Sequence, residues 1–258
     1  MVKRKFTIIT VCYNAEKYIR DTVYSVLSQS FGNFEYIIKD GGSEDETLNI
    51  VHGLTDQDDR VTVIHETDRG IYDAMNIAVS TAEGEYIFFL NAGDKFADLD
   101  VLGRIAEKIK DDDAGIFYGN IIEIFENKSH LRIYTEKNSK MWYYSLGACL
   151  CHQGMICKRE LFREKLFNLD YKVCADRDWQ MYHISRGIAA KPLNFTIAEV
   201  LASGFSQDHK KELEEETKRC VKEYCGRWNT LYQIIEGAKK NKYLCRVIRK
   251  TEQMVSCR

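Results

Sequence analysis

Glu83-Gly-Glu-Tyr-Ile-Phe-Phe-Leu-Asn-Ala-Gly-Asp94 is the stretch on which the fold turns. Its middle, Tyr86 to Leu90, is apolar without a break, as a short strand covered on both faces requires. The Asn-Ala-Gly-Asp turn then sets a carboxamide and a carboxylate just past the strand's carboxyl end. Upstream, the same arrangement recurs three times. Phe6-Thr-Ile-Ile-Thr-Val-Cys12, Phe34-Glu-Tyr-Ile-Ile-Lys39 and Val61-Thr-Val-Ile-His65 read as strands, each followed by residues at helical spacing. After the first come Tyr18, Ile19, Thr22, Val23, Val26 and Leu27, with Asn14 expected as the N-cap of a helix starting there. After the second, Ser43 with Glu46 forms a capping-box pattern. After the third, Ile71, Ala74, Met75, Ala78 and Val79 share one face. Strands alternating with helices predict a mostly parallel sheet with right-handed crossovers, and ligands in such sheets bind beyond the carboxyl ends of the strands. Tyr13 and Asn14, Asp40 to Ser43, Asp68 and Arg69, and Asn91 to Asp94 all fall there. One shared, acidic crevice is predicted.

The chain has 258 residues, enough for one α/β domain with a tail or small subdomain. A formal charge of -2 gives no sign of a nucleic-acid partner. No run of apolar residues reaches the length a membrane-spanning helix needs, and Met1-Val-Lys-Arg-Lys5 runs straight into a strand pattern, so a cytoplasmic location is expected. In that setting the odd number of cysteines, nine, reads as free, mostly buried thiols. Cys149-Leu-Cys151-His152 has no second ligand pair and is not read as a zinc site.

The second half is less regular. Gly115 to Phe125 reads as an edge strand, residues 127–138 as a loop or hairpin, and Asp176 to Arg186 as a helix. From Asp208 onward the sequence favours helix. Residues 239–258 carry seven Lys and Arg against a single Glu, interleaved with Tyr243, Leu244, Val247, Ile248 and Val255. That segment is either a surface for an anionic membrane leaflet or a solvated helical face, and the first is preferred.

Carboxylates clustered at strand tips repel a diphosphate unless a divalent ion stands between them. Magnesium and manganese take oxygen ligands and bridge carboxylates to phosphates in this way. Read singly, Asn91 to Asp94 and Asp40-Gly-Gly-Ser43 are equally well tight turns and helix caps. Taken together, Thr10-Val-Cys-Tyr-Asn14, Asp40-Gly-Gly-Ser-Glu-Asp45, Asp68-Arg-Gly-Ile-Tyr-Asp-Ala-Met-Asn76 and Glu83 to Asp94 closely resemble the successive motifs of family 2 glycosyltransferases with the GT-A fold. The resemblance is strong over residues 5–125 and looser over 148–187. No Walker-type or GxGxxG loop is present.

The resemblance implies a GT-A nucleotide-sugar domain over 1–207, with a donor-binding half (1–125) and an acceptor-facing half (126–207), followed by a helical, basic extension (208–258). It implies that Thr10, Tyr13 and Asn14 flank the nucleobase and that Asp40 accepts a base N–H. Asp68, Arg69 and Asn76 line the donor pocket, Arg69 facing the diphosphate. Asp94 corresponds to the last aspartate of the family's Asp-x-Asp metal signature; Asn91 and Gly93 stand where many relatives carry aspartates, and a divalent cation, Mn2+ or Mg2+, is still expected. His152, in His152-Gln153, is placed at the diphosphate or metal. Ser203 to Gln207 is read as a loop closing on the donor, with His209 and Lys210 near the phosphates. Cys174-Ala-Asp176-Arg-Asp178-Trp179 resembles the family's Glu-Asp-x-Asp segment with Ala175 replacing the glutamate, which makes Asp176 the general base, with Asp178 orienting acceptor or structure. Trp179 reads either as a sugar-stacking ring or as core.

The reaction implied is inverting transfer of a hexose or N-acetylhexosamine from a nucleotide-diphosphate sugar, UDP-linked, to a saccharide or lipid-linked saccharide in surface polysaccharide assembly. The competing readings are a degenerate sugar-nucleotide-binding protein and a nucleotidyltransferase, which normally shows a Gly-rich basic loop after its first strand.

Overall fold

The structure, a computed structural model, describes residues 4–202 and 209–226. Strands β1 (Phe6–Cys12), β2 (Phe34–Asp40), β3 (Val61–His65) and β4 (Tyr86–Phe89) alternate with helices α1 (Ile19–Leu27), α2 (Thr47–Thr55) and α3 (Ile71–Thr81). After β4 come β5 (Lys95–Phe96), α4 (Val101–Ile109), β6 (Ile116–Phe125), β7 (Lys128–Arg132) and α5 (Met141–Tyr144). The chain continues through β8 (Met155–Lys158), α6 (Arg159–Glu164), α7 (Ala175–Ser185), β9 (Ala190–Leu201) and α8 (Lys210–Tyr224). One sheet runs in the order β3-β2-β1-β4-β8-β6-β9-β5, with β7 paired to β6.

The β3-β2-β1-β4 part is parallel. From β1 the chain steps outward to β2 and β3, then returns to β4 on β1's other side. The order reverses at β1 and β4, and a crevice opens at their carboxyl ends for that reason. β1 and β4 have no exposed residue, consistent with their unbroken apolar runs. β8 joins antiparallel to both β4 and β6, and carries the sheet into its mixed second half.

Three sequence expectations are corrected. The first helix starts at Ile19, not Asn14, because Asn14 takes a left-handed backbone (φ 48). Asn14 instead staples two loops: its N–H donates to Ser43 Oγ (2.8 Å) and its Oδ1 accepts Glu44 N–H (2.9 Å). The Ser43–Glu46 capping box does not form. α2 starts at Thr47, and it is Asp45 whose Oδ1 accepts the Thr47 N–H at 3.0 Å. Gly115 to Phe125 is no edge strand, since β6 lies between β8 and β9 and also carries β7. Its pairing with β9 shifts register around Asn120, beside Gly119, where a Cβ would sit 2.7 Å from the Phe195 carbonyl oxygen. The tail helix is seen over Lys210–Tyr224, while the basic segment 239–258 and the Ser203–Gln207 loop lie outside the described residues.

The described cysteines are free, and Cys12, Cys157, Cys174, Cys220 and Cys225 are buried. No described helix is long and apolar enough to cross a membrane.

Candidate active site

Three strand-tip loops meet at the parallel crest. Asp40 ends β2, fully buried, and its carboxylate is bonded by its own turn. Oδ2 accepts the Gly42 and Ser43 N–H groups (3.0 and 2.8 Å) and lies 2.8 Å from His65 Nδ1, while Oδ1 accepts the Ser43 hydroxyl. Burial pushes its pKa up, but these hydrogen bonds, Ser43 foremost, outweigh it and hold the carboxyl below the usual range. Lys39, hidden in an apolar run and not anticipated from the sequence, is also fully buried. Its Nζ donates to the carbonyls of Asp40 (2.9 Å) and Glu66 (2.7 Å) and to Asp68 Oδ2 (2.8 Å). Asp68 can approach because Gly41 has no side chain: a Cβ there would sit 2.8 Å from Asp68 Oδ2. Tyr13, 64% exposed, lies against the same glycine.

Two donor-side expectations are corrected. Thr10 is fully buried, and its hydroxyl bonds the Leu90 carbonyl at 2.6 Å, so it braces β1 against β4 rather than facing a base. Asn76 gives both ends of its amide to Phe167, Nδ2 to the carbonyl (2.9 Å) and Oδ1 to the N–H (3.0 Å), tying α3 to the loop before α7. Arg69 is an exposed side chain paired with Asp73, four residues on. Such exposed pairs are weak, so its guanidinium is available to an incoming anion.

Beyond β4, Gly93 takes φ 101 and closes the turn, and its N–H donates to Thr22 Oγ1 at 2.9 Å. Asp94 points inward, 4% exposed, with Oδ1 accepting Leu201 N–H (3.0 Å) and Oδ2 accepting Gln153 Nε2–H (3.1 Å). Burial raises its pKa to about 6 against those bonds. Asn91 Nδ2 stands 3.1 Å from His152 Nε2, whereas its Oδ1 is buried with no partner among the described residues. A carboxylate whose burial disfavours its charge, beside an orphaned carboxamide oxygen, is an oxygen-donor set that fits a hard cation. Among the described residues no group of three His, Cys, Asp or Glu side chains forms a closed cage, so phosphate and water oxygens would complete the shell.

His152 links that turn to α7. An amide nitrogen can only donate, so Nε2 accepts from Asn91 and the ring proton sits on Nδ1, 3.2 Å from Asp176 Oδ2. Asp176 Oδ1 accepts Arg177 N–H (2.8 Å) and faces the Tyr72 hydroxyl (3.1 Å). Burial raises the Asp176 pKa, yet the His152 bond and the Arg177 charge bring it below the usual range. Asp176 and His152 form the polar rim of a small cavity walled by Phe89, Phe162, Phe167 and Trp179. Trp179 is core, not a sugar platform. It is 1% exposed, stacked on Phe162 at 4.4 Å between ring centroids, and its Nε1–H donates to the Lys165 carbonyl. Asp178 is equally buried, holding Lys165 Nζ (2.8 Å) and accepting the Tyr224 hydroxyl (2.7 Å). The adjacent residues His152 and Gln153 thus tie Asp176 and Asn91 on one side and Asp94 on the other into one polar network. Asp40 stands on the same crest two strands away, about 10 Å at ordinary strand spacing.

A parallel nucleotide-type half joined through β8 to a mixed half, with carboxylates where they meet, is the GT-A transferase architecture. Residues 7–166 match the family model described as glycosyl transferase family 2, and the chain belongs to that family. It is 32% identical over 184 residues to the PGL/p-HBAD biosynthesis glycosyltransferase of Mycobacterium bovis (strain BCG / Pasteur 1173P2), covering 70% of each. Its fold is similar to that of S. aureus TarS 1-349 in complex with UDP-GlcNAc (TM-score 0.65, 18% identity). The match covers 85% of this chain and 67% of the other, and 66%, just under two thirds, of TarS 1-349 alone. It is similar too to the mannosyltransferase PcManGT from Pyrobaculum calidifontis in complex with GDP-Man and Mn2+ (TM-score 0.64, 16% identity, 98% and 81%). The protein is a glycosyltransferase of glycan biosynthesis.

Proposed function

We propose that the chain transfers a hexose or N-acetylhexosamine from a UDP-linked sugar, with inversion, to a hydroxyl of a saccharide or lipid-linked saccharide in surface polysaccharide assembly. The observation that carries this reading is the bonded path from Asn91 through His152 to Asp176, which joins the phosphate-side turn to a carboxylate on the opposite wall. The sugar nucleotides bound by TarS and PcManGT support the donor class.

Asp176, held ionised by His152 and Arg177, takes the proton of the acceptor hydroxyl. The hydroxyl oxygen then bonds the anomeric carbon on the face opposite the diphosphate. The carbon–oxygen bond to the diphosphate breaks, and the leaving group departs with the electron pair. Asp94 and the Asn91 carboxamide would hold a magnesium or manganese ion, which supplies positive charge for the departing diphosphate. Arg69 adds charge beyond the end of β3, and Tyr13, exposed at the crest, offers its ring to a nucleobase. For Asp40 to accept a base N–H, its turn must release one of the bonds now made to its carboxylate. Residues 239–258 are the segment proposed to rest on an anionic cytoplasmic membrane face.

A panel of nucleotide sugars, with and without manganese, tests the donor class by thermal shift, since ligands that bind only the folded form raise its melting temperature. A UDP-sugar should give the largest, manganese-dependent rise; a panel that leaves the melting temperature unmoved would sink the reading. Asp176→Asn should keep donor binding and lose at least about 100-fold in turnover, the usual size of a general-base contribution. Full turnover in that variant removes Asp176 from the role. Binding without turnover in the unaltered chain would favour the degenerate, non-catalytic protein.

A further inference from the structure

We propose that Glu216, on α8, is a positioning residue that holds the base-bearing turn of α7 in register with the donor; this rests on the assignment of Asp176 above. The segment before α7 has backbone groups that its own side chains leave uncapped. Glu216 takes three of them. Oε1 accepts Lys172 N–H at 2.8 Å, and Oε2 accepts Val173 and Cys174 N–H at 2.9 Å each. These N–H groups converge on a single carboxylate from a helix more than forty residues later.

The Val173–Cys174 peptide is held from its carbonyl side as well. The Tyr72 hydroxyl, on α3, lies 2.7 Å from the Val173 carbonyl and 3.1 Å from Asp176 Oδ1. Val173 is thus gripped at its N–H by Glu216 and at its carbonyl by Tyr72, and Tyr72 reaches on to Asp176. A shift of the 172–174 turn moves both the Asp176 carboxylate and the hydroxyl that orients it. Farther along α7, Tyr224 and Lys165 hold Asp178, so α8 grips α7 at two points with one chemistry each. The Tyr224 contact acts on packing, whereas the Glu216 contact acts on the turn that carries the base. A misplacement of about 1 Å in a catalytic group costs of the order of 100-fold in rate, which a carboxylate bonded to three amides is well placed to prevent.

Glu216→Ala, Glu216→Gln and Asp176→Asn are compared in the full chain. The readouts are release of nucleoside diphosphate from the sugar nucleotide giving the largest thermal shift, with water as acceptor and manganese present, and amide hydrogen exchange. Glu216→Ala should lower kcat at least tenfold with donor KM within twofold and melting within a few degrees, and amides 172–174 should lose protection while β1 to β4 keep theirs. Glu216→Gln, which keeps one accepting oxygen, should fall between. In the Asp176→Asn background Glu216→Ala should add no further loss. An unchanged kcat, a donor KM that rises in step with the loss, or protection at 172–174 that survives Glu216→Ala overturns the proposal. If Asp176→Asn turns over normally, the base assignment fails and this inference with it. If Asp176→Asn is inactive and Glu216→Ala is not, only this inference fails.

Discussion

Lys39 shows how one side chain can decide the shape of a binding crest. A fully buried ammonium is tolerable because two carbonyls and the Asp68 carboxylate surround it, and together they fold the end of β3 back toward β2. Replacing it by methionine keeps the bulk and removes the charge, leaving Asp68 without its partner. Breaking a buried pair from one side costs about 3–5 kcal/mol, so Lys39→Met is expected near the low end, Asp68 being slightly exposed, and urea unfolding measures it. Gly41→Ala makes the complementary test. Its Cβ would meet Asp68 Oδ2 at 2.8 Å and shift that carboxylate without removing it from Lys39, so donor KM should rise several-fold with a stability loss of about 1 kcal/mol, the centre of the range for single substitutions. Equal losses in stability and donor affinity would argue against a local effect. Lys39 was invisible in the sequence because one cation inside an apolar run does not reveal which carboxylate meets it.

Among the elements, α7 combines what was legible with what was not. Its position and its acidic first turn follow from Asp176 to Arg186, and the helix lies one residue from that reading. Its partners do not follow. His152 is twenty-four residues away and Asn91 farther still, and only folding brings them to Asp176. The same limit explains α1. Asn14 has the chemistry of an N-cap, but the competing bond to Glu44 N–H lies thirty residues ahead, and it wins. Trp179 follows from its surroundings: stacked on Phe162 and beside Phe167 and His183, it lines the cavity beside Asp176. Trp179→Ala should cost about 3–5 kcal/mol, as large aromatic deletions in packed cores do. A loss below about 1 kcal/mol, by the same urea measurement, would show that the cavity wall is not packed as described.

For the molecule as a whole, the parallel half was legible because β1 and β4 are buried without a break and β1, β2 and β3 are each followed by a helical period. The mixed half was not, since whether β6 lies at an edge depends on β8 and β9, which come later in the chain. Global stability should also carry a signature of His183. Its imidazole is buried with neither ring nitrogen hydrogen-bonded among the described residues and Glu164 4.0 Å away, and burial pushes its pKa down to about 4 from the ordinary 6.5. The unfolded chain therefore binds this proton more readily. The contribution is fully present above pH 6.5 and is lost as the pH falls toward 4, by at most about 3 kcal/mol. His183→Leu should flatten that window in urea titrations at pH 7 and pH 5, and an unchanged slope would remove His183 as its source.

Four of the five buried thiols turn this architecture into its own opening gauge. Burial raises the pKa of Cys12, Cys157, Cys174 and Cys220, so each stays a protonated, shielded sulfur that an alkylating reagent cannot attack in the closed state. They sit at the crest of β1, in β8, at the entrance to α7 and inside α8. Mass spectrometry of iodoacetamide uptake over time would thus time the release of four separate regions in one sample. Cys174 and Cys220 should label together if α7 and α8 part as a unit, and ahead of Cys12 if that half is the first to loosen.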